Sequence, residues 1–386
     1  MHFHHGIVRT AGTWSPYHSA TCACLLFERP TGICELSMIA LTGEMLGCAR
    51  MACGMTQRDL AHRSGISIAC IRDFEQERVR HLRDRTARQL VMSLGVYAGF
   101  SLPSEKFYTY LTNGLLVSIL GPVTVARNGR QLQLGSAKQR RLLGLLTLYR
   151  GLPVGHDTLV DILWAGQPPR TADGLVQTYV SRLRHILWPS DGKSTVESIL
   201  AVDDGGYKLQ LNADQLDSAC FDHLIAISRL CAQANFDAAA FNFYEKALSL
   251  WYGEPLADVE PLYEHPLTIH LRRKWADAVT EYAAVGLAKG WYSYAIPHLY
   301  ELIRKEPVDE EAVALLIKAL AGCGRQAAAL KVFDDTRRYL DEELGVLPGH
   351  ALNEAHIAVL RQTIPPPRRR QSEETLKAAA MERGVL

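Results

Sequence analysis

Residues 176–187 read VQTYVSRLRHIL, a run in which apolar residues recur every three or four positions. This spacing predicts an α-helix from about Thr171 to Leu187, because residues so spaced share one helix face. The predicted buried face carries Val176, Val180, Leu183 and Leu187. The opposite face is neutral to basic, free of carboxylates and flanked by Arg184; it consists of Gly174, Gln177, Thr178, Ser181, Arg182 and His185. Side chains of these types can hydrogen-bond to base edges and to phosphates.

The segments on both sides of this helix complete a winged-helix pattern. Before it, Leu115–Leu134 alternates in hydrophobicity and contains the two-residue hairpin signal Asn128-Gly129. Two further helices are expected at Ala137–Tyr149 and Asp157–Trp164. After the helix, a β-ribbon is expected over Val196–Leu211. Strands before the helix and a ribbon after it predict an α+β winged helix.

Residues 56–79, TQRDLAHRSGISIACIRDFEQERV, predict a separate helix-turn-helix. Thr56 and Asp59 have the spacing of a capping box, and Gly65 permits the positive φ of the turn. The expected core is Leu60, Ala61, Ile66, Ile71 and Phe74, which leaves Ser67, Ala69, Arg72 and Gln76 facing outward. An outward face of this kind fits the major groove of DNA. A purely structural helical hairpin, without DNA contact, has the same pattern and stays open as an alternative.

From Asp217 to Arg361 the chain predicts successive helices with an internal repeat. Alignment of Asn235, Gly290 and Gly324 brings small residues into one column and large residues into another. The small column is Ala240, Ala295 and Ala329, and the large column is Tyr244, Leu299 and Phe333. The interval from Gly290 to Gly324 equals the tetratricopeptide period of about 34 residues. Stacked helix pairs of this type present a concave surface for protein or effector contact.

The net charge of +1 over 386 residues hides an uneven distribution. Residues 50–88 contain nine arginines and five acidic residues, and residues 127–185 contain nine basic and three acidic residues. Residues 200–360 contain 24 acidic and 14 basic residues. A polyanion is therefore attracted to the first half and repelled by the second, unless these charges are only solvated faces.

Several stretches together resemble the Streptomyces antibiotic regulatory protein (SARP) family of transcriptional activators. Residues 120–151 (LGPVTVARNGRQLQLGSAKQRRLLGLLTLYRG), LVDILW, PPRTA and VQTYVSRLRHIL are similar to that family's winged helix. Residues 308–352 are similar to its bacterial transcriptional activation domain, so the resemblance covers about residues 115–361. It implies a sequence-specific activator, of a secondary-metabolite (antibiotic) biosynthesis cluster, that binds promoter direct repeats as a homodimer and recruits RNA polymerase.

The N-terminal run resembles a different family, the xenobiotic-response-element (XRE) type of helix-turn-helix. Its pattern T-Q-x-x-L-A-x-x-x-G-[IV]-S-x-x-x-I-x-x-x-E is matched at every fixed position from Thr56 to Glu75. The resemblance implies that Gln57 contacts phosphate and that the start of the second helix contacts bases. The DNA-contacting residues expected in this unit are Gln57, Ser67, Ile68, Ala69 and Arg72.

The residue pattern and the SARP resemblance together predict the functional residues of the winged helix. The expected DNA-contacting residues are Lys138, Arg140, Thr171, Gln177, Thr178, Ser181, Arg182, Arg184, Tyr207 and Lys208. The resemblance also implies that the loop before the main helix contacts RNA polymerase through Gln167, Pro168, Pro169 and Arg170.

The predicted architecture is mainly α, with five segments in order. They are a poorly ordered tail (1–40), a helix-turn-helix bundle (41–98), a winged helix (113–212), an α-helical tetratricopeptide-like activation domain (213–362) and a flexible tail (363–386). A true start near Met38 is a further hypothesis, which N-terminal sequencing of the native protein tests.

The motifs that enzymes of common classes carry are absent from the sequence. There is no G-x-x-x-x-G-K-[ST] phosphate loop, no G-x-S-x-G nucleophile elbow and no H-E-x-x-H metal motif, so we expect neither an enzyme nor a cofactor. The nine cysteines contain no Cys-x-x-Cys pair, which favours reduced thiols over a metal site. Without a membrane helix or secretory signal, a cytoplasmic, nucleoid-associated protein is expected. A repressor and a tetratricopeptide-type interaction scaffold remain as alternative functions, and any small-molecule effector stays unknown.

Overall fold

The computed structural model describes residues 41–98, 114–188, 200–203, 205–233 and 235–368. The predicted tail before residue 41 lies outside the described residues, as do the predicted tail beyond residue 368 and the first part of the predicted ribbon, 196–199. Within the described residues, no helix is both long enough and apolar enough to cross a membrane.

Four helices make up the N-terminal unit. They are α1 (Gly43–Ala52), α2 (Gln57–Ser64), α3 (Ile68–Glu75) and α4 (Asp84–Ala98). The predicted capping box is confirmed, because the Thr56 hydroxyl accepts from the Asp59 amide and the Asp59 carboxylate accepts from the Thr56 amide. Gly65 ends α2 in the left-handed region, with φ of 65°. Leu60, Ile71 and Phe74 are buried between the helices, as the sequence predicts.

Two small antiparallel sheets frame the winged-helix region. The first sheet contains β1 (Leu115–Ser118), β2 (Thr124–Arg127) and β3 (Arg130–Gln131). Asn128 and Gly129 form the predicted hairpin turn, with φ of 49° and 76°. The second sheet has the order β4 (Val154–Gly155), β6 (Gly206–Leu209), β5 (Leu200–Asp203). The predicted β-ribbon is thus present as β5 and β6, whereas β4 is a strand that the sequence analysis does not predict.

Three helices lie between and around these sheets. They are α5 (Ala137–Leu148), α6 (His156–Trp164) and α7 (Ala172–Leu187). Helix α7 packs against α5 and α6 through its predicted apolar face, and Val176, Val180, Leu183 and Leu187 are all buried. Within the second sheet β6 approaches β4 closely, because a Cβ on Gly206 would lie 2.1 Å from the carbonyl oxygen of Val154.

The C-terminal region is a stack of antiparallel helix pairs. Its helices are α8 (Asp217–Gln233), α9 (Asp237–Leu248), α10 (Pro266–Lys289), α11 (Tyr292–Lys305), α12 (Glu310–Gly322), α13 (Gln326–Tyr339) and α14 (His350–Leu360). Short 3₁₀ turns occur at Ala213–Gln215 and Glu260–Leu262, and a π-helical turn at Leu340–Leu344 follows α13.

The aligned repeat positions are structurally equivalent. Asn235, Gly290 and Gly324 each stand at the turn between two paired helices, with φ of 62°, 76° and 77°. The three alanines of the small column are fully buried, and the large column fills the space beside them with Tyr244, Leu299 and Phe333, all buried. The predicted tetratricopeptide-like repeat is therefore confirmed.

The N-terminal helices do not stand apart from the rest of the fold. Helix α1 packs on α8, and α4 packs on α9. The winged-helix region is anchored to the same helical stack, since the Tyr252 hydroxyl donates to the carbonyl oxygen of Pro122 over 2.7 Å. Asp258 makes a second contact between these two regions by accepting a hydrogen bond of 2.7 Å from the Val123 amide.

Candidate DNA-binding surfaces

Helix α7 exposes the polar face that its periodicity predicts. Gln177 and Thr178 lie one turn before Ser181 and Arg182, and all four residues are exposed. His185 continues this exposed strip toward the end of the helix. The Thr178 hydroxyl donates to the carbonyl oxygen of Gly174 over 2.8 Å, so its proton is used within the helix while its lone pairs stay open. This exposed strip can offer hydrogen-bond donors and acceptors to base edges in a DNA groove or to backbone phosphates.

The expectation that this face carries no carboxylate is wrong at its N-terminal end. Asp173 lies one helical turn before Gln177, and its side chain is 85% exposed. The Asp173 carboxylate stands 3.6 Å from His156 Nε2. A carboxylate in the first helical turn is favoured by the helix dipole, which accounts for its position. Basic and neutral groups therefore occupy only the middle and the end of the strip.

Arg184 is turned away from the exposed strip and toward the second sheet. Its Nε and Nη2 atoms donate to the carbonyl oxygen of Leu200 at 3.1 and 2.7 Å. The side chain is half-buried. Arg184 therefore fixes the start of β5 against the end of α7. This contact holds the wing, which is the ribbon of β5 and β6, against the helix.

Lys138 and Arg140, two residues of α5 that the sequence analysis assigns to DNA, make intramolecular contacts. The Lys138 ammonium donates to the carbonyl oxygen of Leu163 and lies 4.9 Å from the centre of the Trp164 ring. Partial burial and the nearby Arg141 lower the pKa of Lys138. Arg140 forms an ion pair of 3.1 Å with Asp258 of the helical stack. Both side chains are half-buried, so each positions neighbouring elements.

The remaining predicted contacts of the winged helix lie at its two ends. Thr171 is exposed immediately before α7. Tyr207 is half-buried in β6, where it pairs with Val154 on one side and Val202 on the other. The Lys208 ammonium is paired with the Asp203 carboxylate across the ribbon. Exposed Val202 lies at the ribbon's outer edge, 67% accessible.

The loop between α6 and α7 projects fully into solvent. Gln167, Pro168, Pro169 and Arg170 are all exposed. The chain leaves α6 through two consecutive left-handed residues, Ala165 and Gly166, with φ of 50° and 79°. The loop is closed by a hydrogen bond of 3.0 Å from the Ala172 amide to the Pro169 carbonyl oxygen. All four residues that the sequence analysis assigns to a polymerase contact are therefore accessible, and two of them are prolines.

In the N-terminal unit, Glu75 holds two side chains that come from different elements. Arg50 of α1 binds it in a bidentate pair, with distances of 2.7 and 2.8 Å, and also donates to the Met55 carbonyl oxygen. Gln57 Nε2 donates to Glu75 Oε2 over 2.8 Å. One donor of the Gln57 side-chain amide is thus used inside the protein. The sequence analysis identifies Glu75 only as a matched position and does not predict its partner Arg50, which lies outside the matched run.

The residues at the start of α3 that are predicted to contact DNA are accessible to solvent. Ser67, Ala69 and Arg72 are exposed and Ile68 is half-buried. The Ser67 hydroxyl caps the helix by accepting from the Cys70 amide over 3.3 Å. The face therefore offers one guanidinium, one methyl group and a capped helix N-terminus. Among the residues that the structure describes, no group of three His, Cys, Asp or Glu side chains is arranged to hold a metal ion.

Two known families match the winged-helix region and the helical stack. Residues 129–209 match the family described as "Transcriptional regulatory protein, C terminal". Residues 216–360 match the "Bacterial transcriptional activator domain". The first match covers α5 to α7 and the wing, and the second covers the helical stack.

The chain is also similar to two Streptomyces regulatory proteins. The chain is 34% identical over 264 residues to the regulatory protein AfsR of Streptomyces coelicolor, a match of 68% of this chain and 25% of AfsR. It is 30% identical over 250 residues to the regulatory protein DnrI of Streptomyces peucetius, a match of 64% of this chain and 92% of DnrI. The chain thus spans about a quarter of AfsR but nearly the whole of DnrI.

A solved structure has the same fold. The structure of Mycobacterium tuberculosis EmbR in complex with a low affinity phosphopeptide superposes with a TM-score of 0.57 and 28% sequence identity. The superposition covers 69% of this chain and 69% of that chain. Because both domains match in order and the match extends over nearly all of DnrI, the chain belongs to the Streptomyces antibiotic regulatory protein family.

Proposed function

We propose that the protein is a sequence-specific DNA-binding transcriptional activator that acts on promoters of a secondary-metabolite cluster. In this proposal α7 enters the major groove, the ribbon of β5 and β6 contacts the adjacent backbone, and the protein works in the cytoplasm at the nucleoid. Membership of the SARP family supports the class of function.

The observation that carries the proposal is the exposed strip on α7. Gln177 and Arg182 have the side chains that pair with adenine and guanine edges, respectively, in the major groove. Thr178 and Ser181 stand between them and suit phosphate or base contacts. The four apolar side chains predicted for the opposite face are each 2% exposed or less, so the helix can enter a groove without disturbing its own core. A helix 16 residues long matches the dimensions of such a reading element.

Several predicted contacts take a supporting role in this proposal. Arg184 holds the wing through Leu200, and Lys138 and Arg140 hold α5 against α6 and the helical stack. Tyr207 and Lys208 belong to the ribbon, where they contact the sugar-phosphate backbone once Lys208 exchanges Asp203 for a phosphate. Thr171 contacts phosphate at the helix N-terminus.

Activation is proposed to pass through the loop of Gln167, Pro168, Pro169 and Arg170, which contacts RNA polymerase holoenzyme. Its exposure and its closed geometry support this role. Two copies bind tandem repeats in the same orientation, with the helical stack contributing to dimerisation on DNA. The XRE-like α2–α3 unit is proposed as a second DNA-reading element, supported by the exposed Ser67, Ala69 and Arg72 and the half-buried Ile68.

Selection from a random-sequence duplex pool tests this function and does not require the promoter to be identified first. The full chain is expected to enrich a short motif that occurs twice in the same orientation. The double variant Gln177→Ala/Arg182→Ala is expected to lose that enrichment. Arg338→Ala removes the same charge from an exposed position on α13 and serves as the matched control, which should select the same motif as the original protein. An unenriched pool with the original protein would count against sequence-specific binding.

A further inference from the structure

The contact between α1 and α8 contains two cysteines that face each other across it. Cys48 of α1 is 5% exposed and Cys220 of α8 is 1% exposed. Both are free thiols, and Cys220 lies one turn before His223, the residue of α8 that contacts Cys48. Cys220 Sγ also lies 3.2 Å from the carbonyl oxygen of Ala213. The pair joins the N-terminal helical unit to the tetratricopeptide-like stack.

A histidine and a glutamate complete this cluster. His223 Nδ1 lies 3.5 Å from Cys48 Sγ, and His223 Nε2 lies 3.4 Å from Glu44 Oε2. Burial lowers the pKa of His223, but its contacts with Cys48 and Glu44 raise it further than burial lowers it. Because Glu44 and Cys48 are four residues apart on α1, the imidazole contacts one side of that helix at two successive turns.

These contacts make the two thiols chemically different. The hydrogen bond from Cys220 lowers the pKa of Cys48, burial opposes this change, and His223 lowers it again, which gives a pKa of about 6. The same hydrogen bond and burial raise the pKa of Cys220 well above its usual value. The two shifts have opposite directions, so Cys48 ionises before Cys220, and a thiolate beside a thiol is the combination that thiol oxidation uses.

Two other cysteines at the same interface give an internal comparison. Cys53 is the residue that caps the C-terminus of α1, and Cys231 lies on α8. Burial raises the pKa of Cys53 to about 12 and that of Cys231 to about 12. No imidazole contributes to either shift. The interface thus contains one activated pair and one inert pair.

A cavity adjoins the histidine and the glutamate of this cluster. A cavity of about 240 Å³ is lined by Glu44 and His223 and by Ala219, which precedes Cys220 in the chain. Residues of the winged-helix region, including Arg150 and Leu209, line its other side. A small oxidant can enter a space of this size. The cluster does not form a metal ligand set within the part of the chain that the structure describes.

We propose that Cys48 and Cys220 form a reversible disulfide, with hydrogen peroxide as the oxidant, that locks the N-terminal helical unit onto the helical stack. The Cys48 thiolate attacks the terminal peroxide oxygen, the O–O bond breaks, and water leaves after protonation, so that Cys48 becomes a sulfenic acid. The Cys220 sulfur then attacks the Cys48 sulfur, the S–O bond breaks and a second water leaves. Two thiols are oxidised and one hydrogen peroxide is reduced to two waters.

The disulfide changes how freely α1 can separate from α8. Without it, this contact is held by buried apolar residues and by the His223 interactions. With it, the N-terminal unit and its exposed α3 face are covalently fixed relative to the stack. Oxidation of the pair therefore controls the position of α3, and the disulfide can be detected without DNA.

The test treats the reduced full chain with hydrogen peroxide at neutral pH, blocks the remaining thiols and maps peptides without reductant. The expected product is a cross-linked peptide pair containing Cys48 and Cys220, which disappears on addition of dithiothreitol. Cys48→Ser and Cys220→Ser should each abolish it, whereas the control Cys53→Ser, at the C-cap of α1, should retain it. His223→Asn should slow its formation by about tenfold, because the thiolate fraction falls.

The mapping of the original protein is decisive even where a variant folds poorly. Oxidation that appears first at Cys70 or Cys323, the half-buried cysteines of the described chain, would overturn the proposal. So would Cys48 oxidised to sulfinic or sulfonic acid while Cys220 remains a free thiol. A disulfide that forms at an unchanged rate in His223→Asn would overturn the role of the imidazole.

Discussion

The carboxylate of Asp217, the first residue of α8, accepts hydrogen bonds from the backbone amide of Ile119, at 2.9 and 3.0 Å. It also accepts from the amides of Leu120 at 3.0 Å and of Ser218 at 2.7 Å. Asp217 is 1% exposed. One buried side chain thus caps the start of the helical stack and holds the residues that follow β1. This contact makes the winged helix and the stack one structural unit.

Asp217→Ala is expected to destabilise the whole unit. The change leaves the amides of Ile119 and Leu120 without their acceptor, and an unsatisfied buried donor costs about 1–3 kcal/mol. Chemical denaturation of the full chain measures the loss. Asp214→Ala, at an exposed position in the turn before α8, is the control and should change stability by less than about 0.5 kcal/mol. Equal stability of the two variants would contradict the capping role.

The same residue predicts a pH dependence. Burial raises the pKa of Asp217 to about 7, although its backbone hydrogen bonds lower it, whereas the unfolded value is 3.8. Between these values the folded state holds a proton that the unfolded state has released, so the free energy of unfolding falls as pH rises. The slope for one proton is about 1.4 kcal/mol per pH unit. Relative to Asp217→Asn, the protein should lose stability from pH 4 to pH 7; a gain would contradict the raised pKa.

Glu75→Ala should selectively destabilise the N-terminal helical unit. The side chains of Arg50 and Glu75 are 13% and 9% exposed, and removal of one partner from a buried pair costs about 3–5 kcal/mol. Gln57 loses its acceptor at the same time. Amide hydrogen exchange in α1 to α3 is the measurement. The control Asp73→Ala breaks the exposed pair with Arg78, with exposures of 40% and 68%, and should leave exchange nearly unchanged.

Much of this architecture follows from local sequence, but the long-range contacts do not. The apolar spacing in α7, the Asn128-Gly129 hairpin and the three aligned repeat turns are local signals, and each has its predicted structure. Asp217 bonding to Ile119 and Arg184 bonding to Leu200 depend on tertiary packing, which no periodicity encodes. Tertiary packing also decides the role of Lys138. The sequence predicts that this residue contacts DNA, whereas its ammonium contacts the end of α6.

Arg170→Ala separates activation from DNA binding. The residue is exposed in the loop before α7 and contacts neither the core nor the polar strip, so DNA affinity should stay within about twofold. Transcription with purified RNA polymerase holoenzyme, on a template that carries the selected repeats, should fall severalfold. Arg338→Ala should activate normally. A parallel loss of DNA affinity would show that the loop serves binding, and unchanged transcription would remove it from activation.

Arg72→Ala tests the N-terminal unit as a second DNA reader. Arg72 is exposed on α3, and its loss should weaken binding to the full selected site by about 1–3 kcal/mol if it contacts a base. Fluorescence anisotropy with a labelled duplex measures the change. Arg78→Ala, at an exposed position after α3, is the control. Unchanged affinity on every selected duplex would leave α2 and α3 as a structural hairpin.

Arg182→Ala, measured on duplexes that differ at single base pairs, tests the central claim that α7 reads DNA sequence. Binding of the original protein should depend on the base pair at each position of the repeat. The variant should lose about 1–3 kcal/mol on the cognate duplex and should become indifferent to one position, because a missing base contact removes both affinity and preference there. A uniform loss on all duplexes, with every preference retained, would make Arg182 a phosphate contact and would contradict the proposed reading by this residue.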